Sequence, residues 1–469
     1  MGYAGLFTQM AVQISQSNFS LPMQSPYYGP GGIPFSYPPL GFYLLAIFIK
    51  LTGNYLIFLR FLPPLLSLLS LIPLFFLALE LSKSSIAAAF TVILAATSVD
   101  LNMAHAWASG IVRAPAFIFF LLAVYFFTRN RSIPSKVNVL CAGLFFGLTI
   151  LTHLEYALFC FGWIVYWTIF DRDFIKNIKD SVISVVTGLL VSLWWILTVI
   201  IRYGTGVFFN AFRSHGNGGF SFDPGNPLGV VNLFWMNSAP LREDKIIAAI
   251  VVIGILLLLF KKQFAMVFFF IMVVLFLPDN ARFVFLMGSL VGGMGFSLAA
   301  DYLSRLSLKW VKLSPTFVVA SLGLLILFPV WQNGLFTIGR LQRNLFTTTF
   351  QLAQEVKQNL PPQKSYLALV RQDEAEWLPF LFQRQPLVSQ WGSEWLGTYD
   401  QQTNLMSRIH SCEMEQDWSC VENLISDQNY PGALITYVND KSLNQQLLAT
   451  NQWSQVYVNE RYSFWMKKE

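Results

Sequence analysis

Three short stretches carry side chains able to do chemistry on an anionic substrate. Thr152-His153-Leu154-Glu155 puts an imidazole and a carboxylate two residues apart, in a tight turn between apolar runs. Both groups can face one cavity there, and ionisable residues at the edge of a membrane are costly enough to be functional by default. The plainer alternative is a pair that snorkels to the interface. Asp100, His105 and Arg113 bracket an earlier turn. An arginine grips phosphate through two parallel hydrogen bonds, and a histidine passes protons near neutral pH. The alternative is a polar loop with Arg113 anchoring a helix end. Asp279-Asn280-Ala281-Arg282 opens a later apolar run and sets a second arginine where a lipid phosphate would lie, or where an interface anchor would serve.

Two further segments are candidates for contact. A glycine-rich stretch over 203–244, with Arg213, His215 and Asp223, has the composition of a lid over a membrane site. Trp391-Gly392-Ser393-Glu394-Trp395 offers two indoles to a sugar ring, or two core tryptophans. No nucleophile triad, nucleotide-binding loop or metal motif is present, and four histidines in all leave no His-rich metal site.

The elements that must position these residues are membrane helices. The chain is 55% hydrophobic and only 12% charged, about half the charge of a soluble domain. Apolar runs fall near 58–80, 84–103, 114–128, 137–152, 155–171, 181–202, 245–260, 264–279, 283–300 and 314–333. The run 40–53, broken by Lys50 and Gly53, reads as interfacial or half-spanning. The cations Lys83, Arg129, Arg131, Lys136, Arg172, Lys176, Lys179, Lys261, Lys262, Arg305, Lys309 and Lys312 then share one side, the cytoplasmic one. The net charge of +6 belongs to these loops and not to nucleic-acid binding. On the opposite side lie the first loop, the three candidate turns and a polar tail. The tail alternates strand-like runs (Ser365–Val370, Gly432–Val438) with helical ones (Leu352–Asn359, Asp440–Leu448), which predicts a small α/β domain. Cys412 and Cys420 in that tail form a disulfide or remain two thiols, according to compartment.

The predicted fold is a polytopic α-helical membrane protein of 10–11 spans with a C-terminal extracytoplasmic α/β domain. It divides into a first loop at 1–57 with an amphipathic helix, a helical domain at 58–335 and an outer domain at 336–469.

This layout resembles the GT-C superfamily of membrane glycosyltransferases, which includes the aminoarabinose transferases and the protein O-mannosyltransferases. The resemblance rests on a first outer loop ending in Tyr37-Pro38-Pro39-Leu40, an outer Arg113, the Thr152-His153-x-Glu155 turn, an Arg282-led span and a C-terminal outer domain. It implies transfer of a sugar from a polyprenyl-phosphate donor at the outer face of the plasma membrane, among membrane lipids and without nucleic acid. It implies Glu155, His153 and Asp100 as catalytic groups, and Arg113, Arg282, Tyr37 and His105 as substrate contacts. The superfamily holds metal-dependent and metal-independent members, so a divalent cofactor stays open, as does the acceptor. Such enzymes carry an acid at the start of the first loop. Here no Asp or Glu precedes Glu80, which points to a truncated start or an inactive copy. A transporter or flippase would need internal symmetry, which is not visible; a degenerate enzyme serving as a membrane scaffold is the remaining alternative.

Overall fold

The structure is a computed structural model that describes residues 2–29, 31–170, 174–214, 227–276, 281–305, 345–426 and 430–468, with scattered residues between 321 and 334. His215, Asp223, Asp279, Asn280 and most of the run 314–333 lie outside the described residues.

The polar first loop begins with α1 (Ala4–Gln16) and continues through a two-stranded ribbon, β1 (Gln24–Ser25) against β2 (Ile33–Pro34). The apolar stretch after Pro39 forms α2 (Leu40–Thr52), closed by Gly53 in the left-handed region (φ 70°). Thirteen residues rise about 20 Å, short of the ~30 Å hydrocarbon core, so α2 has half-spanning length. Next come α3 (Tyr55–Leu69) and α4 (Leu71–Ser82), which run on as a single 28-residue apolar helix. Pro63 and Pro64 sit inside it, and Pro63 packs on the turn at Gly110. After them α5 (Ser85–Thr97) and α6 (Val99–Ala106) meet at a 62° bend. The bundle continues with α7 (Arg113–Ser132), α8 (Lys136–Ile150), α9 (Leu154–Ile169) and α10 (Phe174–Tyr203). Three shorter helices follow, α11 (Gly206–Ser214), α12 (Pro227–Asn237) and α13 (Ala239–Glu243). It ends with α14 (Lys245–Phe260), α15 (Phe264–Phe276) and α16 (Ala281–Arg305).

Among the described residues three helices, Tyr55–Ser82, Asn177–Tyr203 and Ala281–Tyr302, are long and apolar enough to cross a membrane, or four if the bent α5–α6 pair is one span. Their outward faces expose Leu65, Leu68, Leu190 and Ile201, as a lipid-facing surface does. Between helices apolar burial gives little drive in lipid, so close backbone approach takes its place. A Cβ on Gly295 of α16 would sit 2.3 Å from the Gly254 Cα of α14, and one on Gly188 of α10 would sit 2.4 Å from the Phe146 ring of α8.

The tail folds as a four-stranded sheet in the order β3 (Tyr366–Leu369), β4 (Ala433–Tyr437), β6 (Tyr462–Lys467), β5 (Trp453–Val458). Strands β3 and β4 are parallel and the others antiparallel. Helices α17 (Thr347–Asn359), α18 (Gln372–Ala375), α19 (Leu378–Phe382), α20 (Tyr399–Met414), α21 (Trp418–Ile425) and α22 (Lys441–Ala449) surround it. Cys412 and Cys420 are joined in a disulfide.

Helix α1 of the first loop does not lie on the surface. Residues Leu6, Met10 and Ile14 of α1 share one core with Leu352, Tyr366, Trp377 and Phe464 of the tail. The polar face expected along α1 is largely covered too: Thr8, Gln9 and Ser15 are buried. Gln9 donates to Ser25 and Pro26 at the ribbon that follows, and no periodicity within α1 could indicate that.

Candidate functional site

The turn between α8 and α9 places His153 and Glu155. His153 occupies the residue before α9, and Glu155 stands in its first turn, where the helix dipole favours an anion. The His153 Nδ1 lies 4.0 Å from the Glu155 carboxylate. Arg282, the second residue of α16, is buried and makes an ion pair with Glu155. Its guanidinium also lies over two rings, 4.9 Å from the centre of Tyr156 and 5.0 Å from that of Phe283.

Tyr156 links this pair to the earlier turn. Its hydroxyl donates to His105 Nε2 at 2.8 Å, and the opposite ring nitrogen, Nδ1, donates to the Leu101 carbonyl at 2.6 Å. A carbonyl can only accept, which fixes the proton on Nδ1 and leaves Nε2 as acceptor. Arg113 opens α7, its Nη1 3.5 Å from the Ala104 carbonyl, and its charge acts on Arg282, His105 and Tyr156. Four elements thus bring Arg113, His105, His153, Glu155, Tyr156 and Arg282 into one neighbourhood.

Two of the expected site residues are placed differently from the rest. His105 is fully buried between Leu101 and Tyr156, with both ring nitrogens bonded inside the protein, so it holds Tyr156 and has no nitrogen for a substrate. Asp100 sits at the exposed start of α6, beyond the bend, where the charges acting on it are Glu243 and Asp244 and not the arginines. It does not join the cluster, because it stands exposed in the first turn of α6 while His105, five residues on, is buried.

Tyr37 approaches from the first loop. The Leu40 N–H donates to the Leu151 carbonyl at 2.8 Å, which docks Tyr37-Pro38-Pro39-Leu40 directly before the His153 turn. The Tyr37 hydroxyl donates to Glu394 of the tail domain, and its ring meets Trp395 edge-on at 4.8 Å. Tyr3 lies close enough to both Glu394 and Arg113 to feel their charges. Glu394 is buried, which pushes its carboxyl up to about 8. A second buried acid, Glu376, accepts the N–H groups of Gly5 and Leu6 at 2.9 Å each, across the amino end of α1. Burial outweighs those bonds and raises it to about 7.

Glu376, Glu394 and Tyr156 are the participants that sequence reasoning passes over. Tyr156 adjoins Glu155, but nothing local marks a tyrosine as a bridge. Glu394 lies inside the Trp391–Trp395 stretch, where the indoles drew attention. Both indoles are buried, Trp391 in the tail core and Trp395 against Tyr37, so neither presents an open face to a sugar. Among the described residues no three His, Cys, Asp or Glu side chains gather as a metal site.

A family model described as dolichyl-phosphate-mannose-protein mannosyltransferase matches residues 36–200, from the Tyr37 loop through α10. The oligosaccharyltransferase of Archaeoglobus fulgidus, solved in complex with zinc and sulfate, superposes on 93% of this chain with a TM-score of 0.64 at 13% identity. The fold is that of the GT-C glycosyltransferases. The chain spans 64% of the length of that oligosaccharyltransferase. ArnT from Cupriavidus metallidurans, bound to undecaprenyl phosphate, gives a TM-score of 0.52 at 15% identity over 98% of this chain and 93% of its own. The apo form of ArnT gives the same score and identity. Comparison with curated protein sequences gives no match. At such identities the likeness is one of GT-C fold, and activity must be argued from the site.

Proposed function

We propose that this chain is an integral-membrane glycosyltransferase that moves a sugar from a polyprenyl-phosphate donor to an acceptor on the extracytoplasmic face of the plasma membrane. The observation that carries this reading is the meeting of two guanidiniums at the ends of apolar helices: Arg282, ion-paired to Glu155, lies close enough to Arg113 to feel its charge. Two neighbouring guanidiniums beside a lipid-facing bundle suit a phosphate whose tail lies among the helices. That ArnT is solved with undecaprenyl phosphate supports a lipid-linked donor.

In this mechanism the acceptor oxygen attacks the anomeric carbon and the bond from that carbon to the phosphate oxygen breaks. Polyprenyl phosphate leaves with its charge held by Arg282 and Arg113. The acceptor proton passes to Glu155, with His153 4.0 Å from its carboxylate as the next station. Tyr37 closes the site from the first loop. The division into 1–57, 58–335 and 336–469 then acquires a purpose: the first and last segments share a core and roof the ends of the helices. The Cys412–Cys420 bridge supports an oxidising, non-cytoplasmic side for that roof.

The test incubates membranes holding the protein with a labelled polyprenyl-phosphate sugar. Label should leave the lipid fraction with wild type and stay there with Arg282→Ala. Equal transfer by both proteins would refute the reading.

A further inference from the structure

A cleft of about 590 Å³ opens in the tail domain, away from every residue used above. Arg371, Tyr437, Asn439, Asp440, Glu460 and Arg461 are among the residues that line it. It lies where the parallel strands end. Arg371 follows β3, and Tyr437 closes β4 with Asn439 and Asp440 just beyond. The carboxyl ends of parallel strands are where open α/β sheets bind ligands.

Its lining holds two arginines and two acids, Asp440 and Glu460, but both arginines turn to a third acid, Glu374. The buried Glu374 accepts from both Arg461 nitrogens, Nε and Nη2, and from the Tyr462 hydroxyl at 2.6 Å. Arg371 reaches the same carboxylate only with Nε, at 3.3 Å. Two guanidiniums therefore share one carboxylate. The Arg371 Nη2 is shielded from solvent and hydrogen-bonds to nothing in the protein. Asp440 is placed to cap α22, yet its side chain accepts no hydrogen bond from that helix, and its Oδ2 is likewise shielded and without a partner. A shielded donor and a shielded acceptor left unmet are each unfavourable. A ligand that fills both relieves this.

We infer that this cleft binds an anionic saccharide, with its carboxylate or phosphate on Arg371 and its hydroxyls on Asp440, Asn439 and Glu460. The exposed Thr347 and the half-buried Thr348, in the first turn of α17, border the same cleft and bring helix N–H groups toward the anion. Arg461 is committed to Glu374 and to the faces of Phe346 and Tyr437, so it builds the wall and does not contact the ligand. The inference does not depend on the transferase reading.

The test is saturation-transfer NMR on the full chain in detergent micelles, with glucuronate, glucose 6-phosphate and glucose as observed probes and inorganic phosphate as a competitor whose affinity is read from the sugar signal it displaces. At least one of the two anionic sugars should bind more tightly than glucose and than phosphate. Which of them wins separates a carboxylate from a phosphate ligand. Arg371→Gln should weaken the anionic sugar about tenfold, the worth of one charge-assisted hydrogen bond, and leave glucose unchanged. Asp440→Asn should weaken all the sugars and spare inorganic phosphate. Retained elution volume and circular dichroism separate these effects from misfolding. Absence of binding by both anionic sugars, or binding that neither variant changes, would overturn the inference.

Discussion

Glu155 and Arg282 stand 127 residues apart and meet as an ion pair across the amino ends of α9 and α16. The arginine is buried and the carboxylate is about a third exposed, so the pair presents its acid outward. Arg282→Ala should lower sugar transfer by about a hundredfold or more, the scale for removing a preorganised charge from a developing anion. Glu155→Gln should cost less, and the double variant should be no worse than Arg282→Ala alone, because the two act as a unit. Initial rates with labelled donor check this; additive losses would mean the residues work separately.

Tyr156→Phe isolates one bond. The phenyl ring keeps its place under Arg282, while the His105 Nε2 loses its donor inside a buried site. An expected loss of about 1–2 kcal/mol should appear as a lower midpoint in thermal unfolding of the detergent-solubilised protein. An unchanged midpoint would show that the bond contributes nothing net.

The buried acids Glu376 and Glu394 make stability depend on pH in an uncommon direction. Burial lifts their folded values to about 7 and about 8, above the ordinary 4.5 that the unfolded chain keeps. Between these limits the folded state holds more protons than the unfolded one. Stability is therefore full below pH 4.5 as far as these groups go, and falls as pH climbs to about 8. For Glu376 alone the loss is of order 3 kcal/mol. Melting curves between pH 5 and pH 8 should show the midpoint dropping, and Glu376→Gln should flatten the slope. A midpoint that rises over this window in wild type would contradict the assignment.

The disulfide reports on compartment. In intact cells Cys412 and Cys420 should resist a maleimide until a reductant is added, while Cys141 and Cys160 are unbridged throughout. Labelling of Cys412 and Cys420 without reduction would place the tail domain on a reducing side.

The crossing of α14 and α16 should be intolerant of size. Gly295→Val would push a side chain into the Gly254 backbone, where even a Cβ lies at 2.3 Å. A loss of at least about 1–3 kcal/mol is expected from such overpacking, read as a lower aggregation temperature in micelles.

Much of the layout follows from the sequence alone. Hydropathy placed helices over nearly every described apolar run, and Lys50 with Gly53 marked the short α2, because lipid demands long apolar helices whatever they pack against. Residue chemistry also singled out Arg113, His153, Glu155 and Arg282, since ionisable groups among apolar runs are few. The sequence could not say which of those groups are already satisfied by neighbours. Only the tertiary structure turned His105 inward onto Tyr156, left Asp100 exposed at the start of α6, and buried Glu376 and Glu394 against α1 and Tyr37. The bonds among these join residues from 51 to 371 positions apart. Local pattern carries no record of them, because a side chain's partner is fixed by packing and not by spacing along the chain.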